Sequence, residues 1–160
     1  MSTDHDATIT QFYDAFGRGD GAAMEGLYAP DVRFSDPVFG ELRGPRAGAM
    51  WRMLTGQAED LRIELAEHAA DGDQGTARWI ARYTFTRTGR PVVNDIRATF
   101  RFAPDGRIAE HDDRFDLWRW TRQALGPSGL LLGWSPVVQG PVRKQAAASL
   151  DAFCAQDTPA

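Results

Sequence analysis

Residues 92–117, VVNDIRATFRFAPDGRIAEHDDRFDL, decide the fold of this chain because they carry two strand patterns around a tight turn. From 92 to 102 apolar residues such as Ile96 and Phe100 recur at alternate positions, and the turn sequence APDG follows. A second alternating pattern runs from 107 to 117. Two strands joined by so short a turn predict a β-hairpin with one buried face.

The two strands that precede this hairpin show the same period of two. Leu61, Ile63 and Leu65 alternate with charged residues, which predicts a half-buried strand. The turn sequence DGDQG follows, and 76–87 then alternates apolar residues with threonines and arginines up to the turn TGRP. Four strands joined by tight turns predict an antiparallel sheet.

Helical spacing replaces strand spacing in the first sixty residues. Ile9, Phe12, Tyr13 and Phe16 fall at i, i+3, i+4 and i+7, as on one face of a helix. A short second helix follows the GD turn, a strand spans 32–36, GELRGPRAG forms a loop, and a third helix begins near its proline. The sequence therefore predicts an α+β protein with helices packed on one face of the sheet.

The C-terminal part of the chain departs from this pattern. Two helices are predicted, at about 117–125 and 140–154, around an apolar link rich in glycine and proline. Leu130 to Leu132 and Trp134 are too apolar for a surface tail, so the segment is expected to pack on the domain or on a second subunit. We accordingly predict a domain at 1–120, a helical extension at 121–160, and a homodimer.

The composition excludes several classes of partner. The 160 residues suit one domain, and 18 basic and 22 acidic residues are well mixed, which argues against nucleic-acid binding. The longest apolar stretch is too short to span a bilayer, so no membrane insertion is expected. One cysteine, Cys154, and a polar N-terminus predict a cytoplasmic protein. Neither a metal nor a nucleotide motif is present, and we predict no metal and no cofactor.

Asp36 is the first candidate site residue. In VRFSDPVFG, residues 32–40, strand alternation places this carboxylate on the same face as Val32 and Phe34. It could accept hydrogen bonds from turn amides near Pro37 and Gly40. It could equally be an acid at the mouth of an apolar cavity, with a pKa tuned by desolvation.

The last strand supplies a second candidate group. One face carries His111, Asp113 and Phe115, whereas the other, with Ile108 among its charged residues, is expected to face solvent. An imidazole and a carboxylate two residues apart on an inward face could share a substrate or water and shift each other's pKa. A polar pair satisfied by neighbouring strands is the alternative.

Two segments resemble a known family. ITQFYDAFGRGDGAAMEGLYAPDVRFSDPVFGELRG and APDGRIAEHDDRFDLWRW look like the opening and the last hairpin of the nuclear transport factor 2-like superfamily. The likeness is to its SnoaL-like and ketosteroid isomerase-like branch, with partial similarity to limonene-epoxide hydrolases. The resemblance implies a cone-shaped curved antiparallel sheet wrapped around three N-terminal helices, with an apolar cavity at its open end.

The resemblance also assigns residues. Asp36 falls where ketosteroid isomerases keep their general base, a carboxylate whose pKa is tuned by its environment. Phe12 and Ala98 occupy the positions of that family's oxyanion-hole tyrosine and aspartic acid, so a typical steroid isomerase is disfavoured. Asp113 matches the aspartate of epoxide hydrolases, and with His111 it resembles the acid–base pair of SnoaL-like cyclases.

These observations lead to one main hypothesis and two alternatives. We predict cofactor-free acid–base chemistry (isomerisation, cyclisation or epoxide hydrolysis) on a small hydrophobic molecule, with Asp36, His111 and Asp113 as catalytic residues. The predicted substrate-binding residues are Phe12, Tyr13, Trp51, Trp79, Tyr83 and Phe115. The alternatives are a non-catalytic protein that binds a small ligand and a dimeric interaction protein on the same scaffold.

Overall fold

The computed structural model describes residues 2–127 and 135–157. The helices in this part of the chain are α1 (Ser2–Gly17), α2 (Gly21–Gly26), α3 (Pro45–Gln57), α4 (Leu117–Leu125) and α5 (Pro136–Asp157). The strands are β1 (Tyr28–Asp36), β2 (Gly40–Arg43), β3 (Arg62–Asp71), β4 (Gln74–Phe85), β5 (Arg90–Phe102) and β6 (Ile108–Arg114).

The six strands form one curved sheet in the order β2-β1-β6-β5-β4-β3. The α+β class and the cone-shaped sheet around the N-terminal helices are confirmed. Strands β3 to β6 pair antiparallel through their turns, as predicted. Strand β1 pairs parallel with β6, which is possible because no hairpin joins them: β2, α3 and strands β3 to β5 lie between them in the chain. This parallel pair places β1 next to the strand that carries His111.

The N-terminal helices fill the concave face of the sheet. The predicted apolar stripe of α1 is buried, with Ile9 and Phe12 completely inaccessible. The side chain of Asp20 caps α2 by accepting from the backbone amide of Ala23 at 3.0 Å. Helix α3 starts at Pro45, whose missing N–H and fixed φ suit the first helical turn.

Two local predictions were wrong. Residues 40–43, predicted as loop, form β2, because Leu42 is buried and the segment pairs antiparallel with β1. Ile108, predicted to face solvent, is fully buried. A register shift between Arg101 and Phe102 in the β5–β6 pairing turns Ile108 towards the core.

The C-terminal helices pack on the same chain. Asp116 caps α4, and α5 lies against α3 with Leu150 fully buried in the main core. Near the start of α5 the Arg143 guanidinium donates to the backbone carbonyl of Pro37 at 2.9 Å. The predicted apolar residues Leu130 to Leu132 and Trp134 lie outside the described residues. Within the described part, each helix is too short or too polar to cross a membrane.

Candidate active site

Two polar side chains lie inside the cone, on the concave face of β6. His111 is 1% and Asp113 is 3% exposed. The alternation of β6 directs both inward, with Phe100 opposite His111 and Ala98 opposite Asp113 on β5. The small side chain of Ala98 leaves room for the carboxylate. The two candidates named from the last strand therefore share one buried site.

A chain of hydrogen bonds runs through this buried site. The Trp51 indole donates to the Tyr28 hydroxyl at 2.7 Å, and that hydroxyl lies 2.7 Å from Nδ1 of His111. Nε2 of His111 is 2.9 Å from Oδ1 of Asp113. The Trp79 indole reaches the same oxygen at 3.4 Å.

The hydrogens in this chain have one consistent direction. An indole N–H can only donate, so the Tyr28 oxygen accepts from Trp51 and passes its own hydrogen to Nδ1 of His111. With this direction the imidazole donates from Nε2 to Oδ1 of Asp113. Both bonds to Asp113 end on Oδ1, which leaves Oδ2 to interact with another group.

Aromatic rings enclose the imidazole of His111. Ring centroids lie 4.4 Å away for Phe100, 5.2 Å for Phe34, 5.4 Å for Phe12 and 6.1 Å for Trp51. Such surroundings have a low effective dielectric, which strengthens each hydrogen bond and penalises any unpaired polar group. The predicted ligand-contact residues Phe12, Trp51 and Trp79 thus form the wall around the polar pair.

Tyr13 lies in this wall but differs from Tyr28. Its side chain is buried, and its hydroxyl has no hydrogen-bond partner within the described part of the protein. Burial raises the pKa of the Tyr13 phenol well above its usual range, and the negative charge of Asp113 raises it further. Tyr13 is consequently a neutral hydrogen-bond donor close to a carboxylate.

Asp36 lies at the end of β1, outside this hydrogen-bonded chain. Its Oδ1 accepts from the backbone amides of Val38 at 2.9 Å and Phe39 at 2.5 Å, in the local turn. Burial raises the pKa of this carboxyl to about 6 despite the Phe39 hydrogen bond, and the charge of Asp113 acts in the same direction. Asp36 therefore accepts the turn hydrogen bonds that one interpretation predicts, and its position at the mouth of a cavity stays a prediction.

The raised pKa predicts how Asp36 affects stability. The carboxyl ionises at 3.8 in its ordinary state and at about 6 in the fold, so the free energy of unfolding falls as the pH rises through this window. Asp36→Asn keeps the acceptor oxygen but cannot ionise. Relative to wild type we expect it to gain about 2 to 3 kcal/mol between pH 4 and pH 7.

Urea denaturation at the two pH values measures this gain. Asp31→Asn is the control, because Asp31 is an exposed carboxylate on the same strand. Its stability relative to wild type should not change with pH. A pH-independent effect of Asp36→Asn would show that the Asp36 carboxyl titrates normally in the fold.

Tyr83 and Phe115 lie between the main core and a smaller second core. The second core consists of Val92, Leu117, Trp120 and Ala124 and covers one end of the sheet. Both Tyr83 and Phe115 are half-buried and pack on both cores. The Trp120 indole on α4 donates to the Tyr83 hydroxyl at 2.7 Å, and this bond holds α4 across that end.

Sequence reasoning missed Tyr28 and Trp120. Tyr28 begins β1 and reaches a histidine 83 positions later in the chain. Neither residue carries a local signal, because each contact depends on the pairing of distant strands. Among the described residues no three histidine, cysteine or carboxylate side chains come together as metal ligands.

A curved sheet that encloses helices, with polar side chains on its concave face, defines the nuclear transport factor 2-like class of proteins. The family model of the SnoaL-like domain matches residues 9–111, and the chain belongs to this family. No curated protein sequence matches it.

Solved structures share this fold at low sequence identity. A protein with a ketosteroid isomerase-like fold from Catenulispora acidiphila, in complex with trimethylamine, is 18% identical with a TM-score of 0.66, over 76% of this chain and 94% of that one. A candidate polyketide cyclase from Xanthomonas campestris is 23% identical with a TM-score of 0.65, over 76% and 97%. An LEH-like epoxide hydrolase from M. tuberculosis is 20% identical with a TM-score of 0.64, over 86% and 96%.

Proposed function

We propose that this SnoaL-like protein is a cofactor-free acid–base enzyme that removes a proton from carbon next to a carbonyl group in a small hydrophobic molecule. The observation that supports this most strongly is that the Trp79 indole links two buried polar groups: it reaches the Asp113 carboxylate at 3.4 Å, and its ring lies 5.6 Å from the ring of Tyr13, whose hydroxyl has no hydrogen-bond partner among the described residues. A base and a hydrogen-bond donor at one apolar site are the two groups that enolate formation requires.

Asp113 is the proposed base. Its Oδ1 is held by His111 and Trp79, so Oδ2 has a defined position from which to take a proton. His111 acts as a positioning residue, because its imidazole links the carboxylate to Tyr28 and through it to Trp51. Rigid support of this kind holds a catalytic group in its productive geometry.

Tyr13 is the proposed donor to the substrate oxygen. As Asp113 takes the α-hydrogen as a proton, the electrons of the C–H bond form a C=C bond and negative charge develops on the carbonyl oxygen. The Tyr13 hydroxyl donates to that oxygen. In a β,γ-unsaturated substrate the enolate is conjugated with the C=C bond, and return of the proton from Asp113 to the γ-carbon gives the conjugated isomer. In a substrate with a second carbonyl, attack of the enolate carbon on that carbonyl forms an alkoxide, which takes the proton back from Asp113 to give a cyclic alcohol.

The proposed entrance lies between the two cores, at Tyr83 and Phe115. His111 has no exposed side-chain surface and Asp113 has 3%, so a substrate reaches them only when side chains at this end move apart. The Trp120–Tyr83 hydrogen bond and the half-buried ring of Phe115 are the contacts that such a movement changes. An apolar entrance selects an apolar substrate.

Enolisation can be tested before the natural substrate is identified. A panel of small cyclic ketones and β-keto esters is incubated with the protein in D2O, and exchange of the α-hydrogen is followed by proton NMR. We expect the wild-type protein to accelerate exchange of at least one class above buffer. No acceleration for any class would overturn the proposal and favour a protein that only binds its ligand.

Tyr13→Phe separates the proposed role of the hydroxyl from its effect on folding. Loss of the donor to the enolate should reduce exchange by about 100-fold to 1000-fold. The melting temperature should stay the same or rise, because an unpaired buried hydroxyl destabilises the fold by about 1 to 3 kcal/mol. Unchanged exchange in a folded variant would remove Tyr13 from the mechanism.

A further inference from the structure

A row of arginines crosses the outer, convex face of the sheet. Arg78 on β4 lies directly opposite Arg97 on β5, which in turn lies opposite Arg114 on β6. Like charges directly opposite one another on a sheet are destabilising. Such a row requires compensating negative charge from the protein or from a ligand.

The two ends of this row are compensated within the protein. Arg78 holds Asp95 through two hydrogen bonds, Nε to Oδ1 at 3.0 Å and Nη2 to Oδ2 at 2.7 Å. Arg114 donates from Nε to Oδ2 of Asp112 at 2.9 Å. Arg97, in the middle, makes neither an ion pair nor a side-chain hydrogen bond with the residues that the structure describes.

A fourth arginine reaches the same place from α4. The charges of Arg97 and Arg119 both contribute to the lowered pKa of Asp95, after the larger effect of its direct bonds to Arg78. Arg119 likewise has no side-chain partner in the described ranges. The direct hydrogen bonds of Asp95 go to Arg78, so Arg97 and Arg119 act on this carboxylate only through space and make no ion pair of their own within the described residues.

These side chains surround a depression of about 410 Å³. Its lining consists of Asp95, Arg97, Arg114, Phe115 and Arg119. The depression is shallow and open to solvent, and the Phe115 ring provides an apolar surface at its side. Successive side chains of β6 point to opposite faces, so Arg114 lies on the far side of the sheet from Asp113.

We propose that this depression is a binding site for a dianionic phosphate monoester on the outer face of the sheet, distinct from the buried Asp113 carboxylate, although Phe115 borders both this depression and the proposed entrance. Arg97 and Arg119 provide one positive charge each, and the planar guanidinium groups bind phosphate oxygens through paired hydrogen bonds. The organic part of the ligand lies against Phe115. The site does not depend on the proposed enolisation.

Phenyl phosphate is the probe, because it combines a dianion with an aromatic ring. Binding to the full-length protein is measured by calorimetry and by NMR of backbone and arginine Nε–H signals, at constant ionic strength. We expect Arg97→Gln and Arg119→Gln each to weaken binding by about tenfold. Phenylacetate, a monoanion, should bind more weakly than phenyl phosphate, and benzyl alcohol should not compete.

Arg101→Gln is the matched control. Arg101 lies on the same outer face of β5, is 3.9 Å from Glu110, and does not line the depression. Its replacement removes one positive charge and should change the affinity by less than about twofold. An equal loss of affinity in all three variants would mean that phenyl phosphate is attracted by the general positive charge of this face, and this result would overturn the proposed site.

Two other results would also overturn the proposal. One is the absence of any shift at Arg97 and Arg119 on saturation with phenyl phosphate. The other is a change in dimerisation caused by Arg97→Gln, measured by sedimentation velocity, together with no binding to the dimer. That second result would assign this face to the homodimer predicted from the sequence.

Discussion

Replacement of Asp113 by asparagine is expected to abolish enolisation while the fold stays intact. General-base catalysis contributes about 10²- to 10⁴-fold to a rate, and Asp113→Asn should reduce α-hydrogen exchange by a factor in that range. The amide oxygen can still accept from His111 and Trp79, so the buried hydrogen bonds persist. The amide cannot take a proton, which is the property that the proposal requires of this position.

The measurement is the rate of α-hydrogen exchange, for wild type and variant, of the ketone or β-keto ester that the wild-type protein exchanges fastest. Thermal unfolding and an NMR spectrum establish that the variant is folded. Asp36→Asn is the comparison, because Asp36 bonds only to its own turn and lies outside the hydrogen-bonded chain. A larger loss for Asp36→Asn than for Asp113→Asn would transfer the role of base to Asp36.

Removal of the Tyr28 hydroxyl should have the largest effect on stability. This one oxygen bonds both the Trp51 indole and Nδ1 of His111, at 2.7 Å in each case. Tyr28→Phe leaves both groups buried without a partner. Each such group destabilises a protein by about 1 to 3 kcal/mol, so we expect a loss of about 2 to 6 kcal/mol for the two groups.

For a chain of this size such a loss lowers the melting temperature by about 10 °C. Tyr13→Phe is the matched control, since it deletes the same atom from a buried tyrosine whose hydroxyl has no partner in the described structure. The changes in melting temperature that the two substitutions cause should therefore have opposite signs or differ by several degrees. Equal melting temperatures would mean that the buried hydrogen bonds contribute nothing net to stability.

The fold was predictable because its signals are local. Alternation in β3 to β6, the helical stripe at Ile9 and Phe12, and turn sequences such as APDG each depend on a few neighbouring residues. The missed elements depend on distant partners. Strand β2 is stabilised by pairing with β1, and Ile108 faces the core because of a register shift relative to β5.

The candidate site was only half predictable, for the same reason. Strand alternation indicated that His111 and Asp113 both face inward, and in the structure Nε2 of His111 is hydrogen-bonded to Oδ1 of Asp113. Their catalytic role stays a prediction. Tyr28 on β1 and Trp51 on α3 extend this hydrogen-bonded pair. No spacing along the chain indicates that these side chains lie close together.

The sequence by itself determined the class of fold, the inward face of each long strand, and the presence of polar side chains where apolar ones are expected. Only the tertiary structure decided which groups satisfy those polar side chains. It paired the hydroxyl of Tyr28 and gave that of Tyr13 no partner among the described residues. It also aligned Arg78, Arg97 and Arg114 across three strands. Periodicity fixes the direction of a side chain, whereas its partners depend on strand register and helix packing, which bring together residues far apart in the chain.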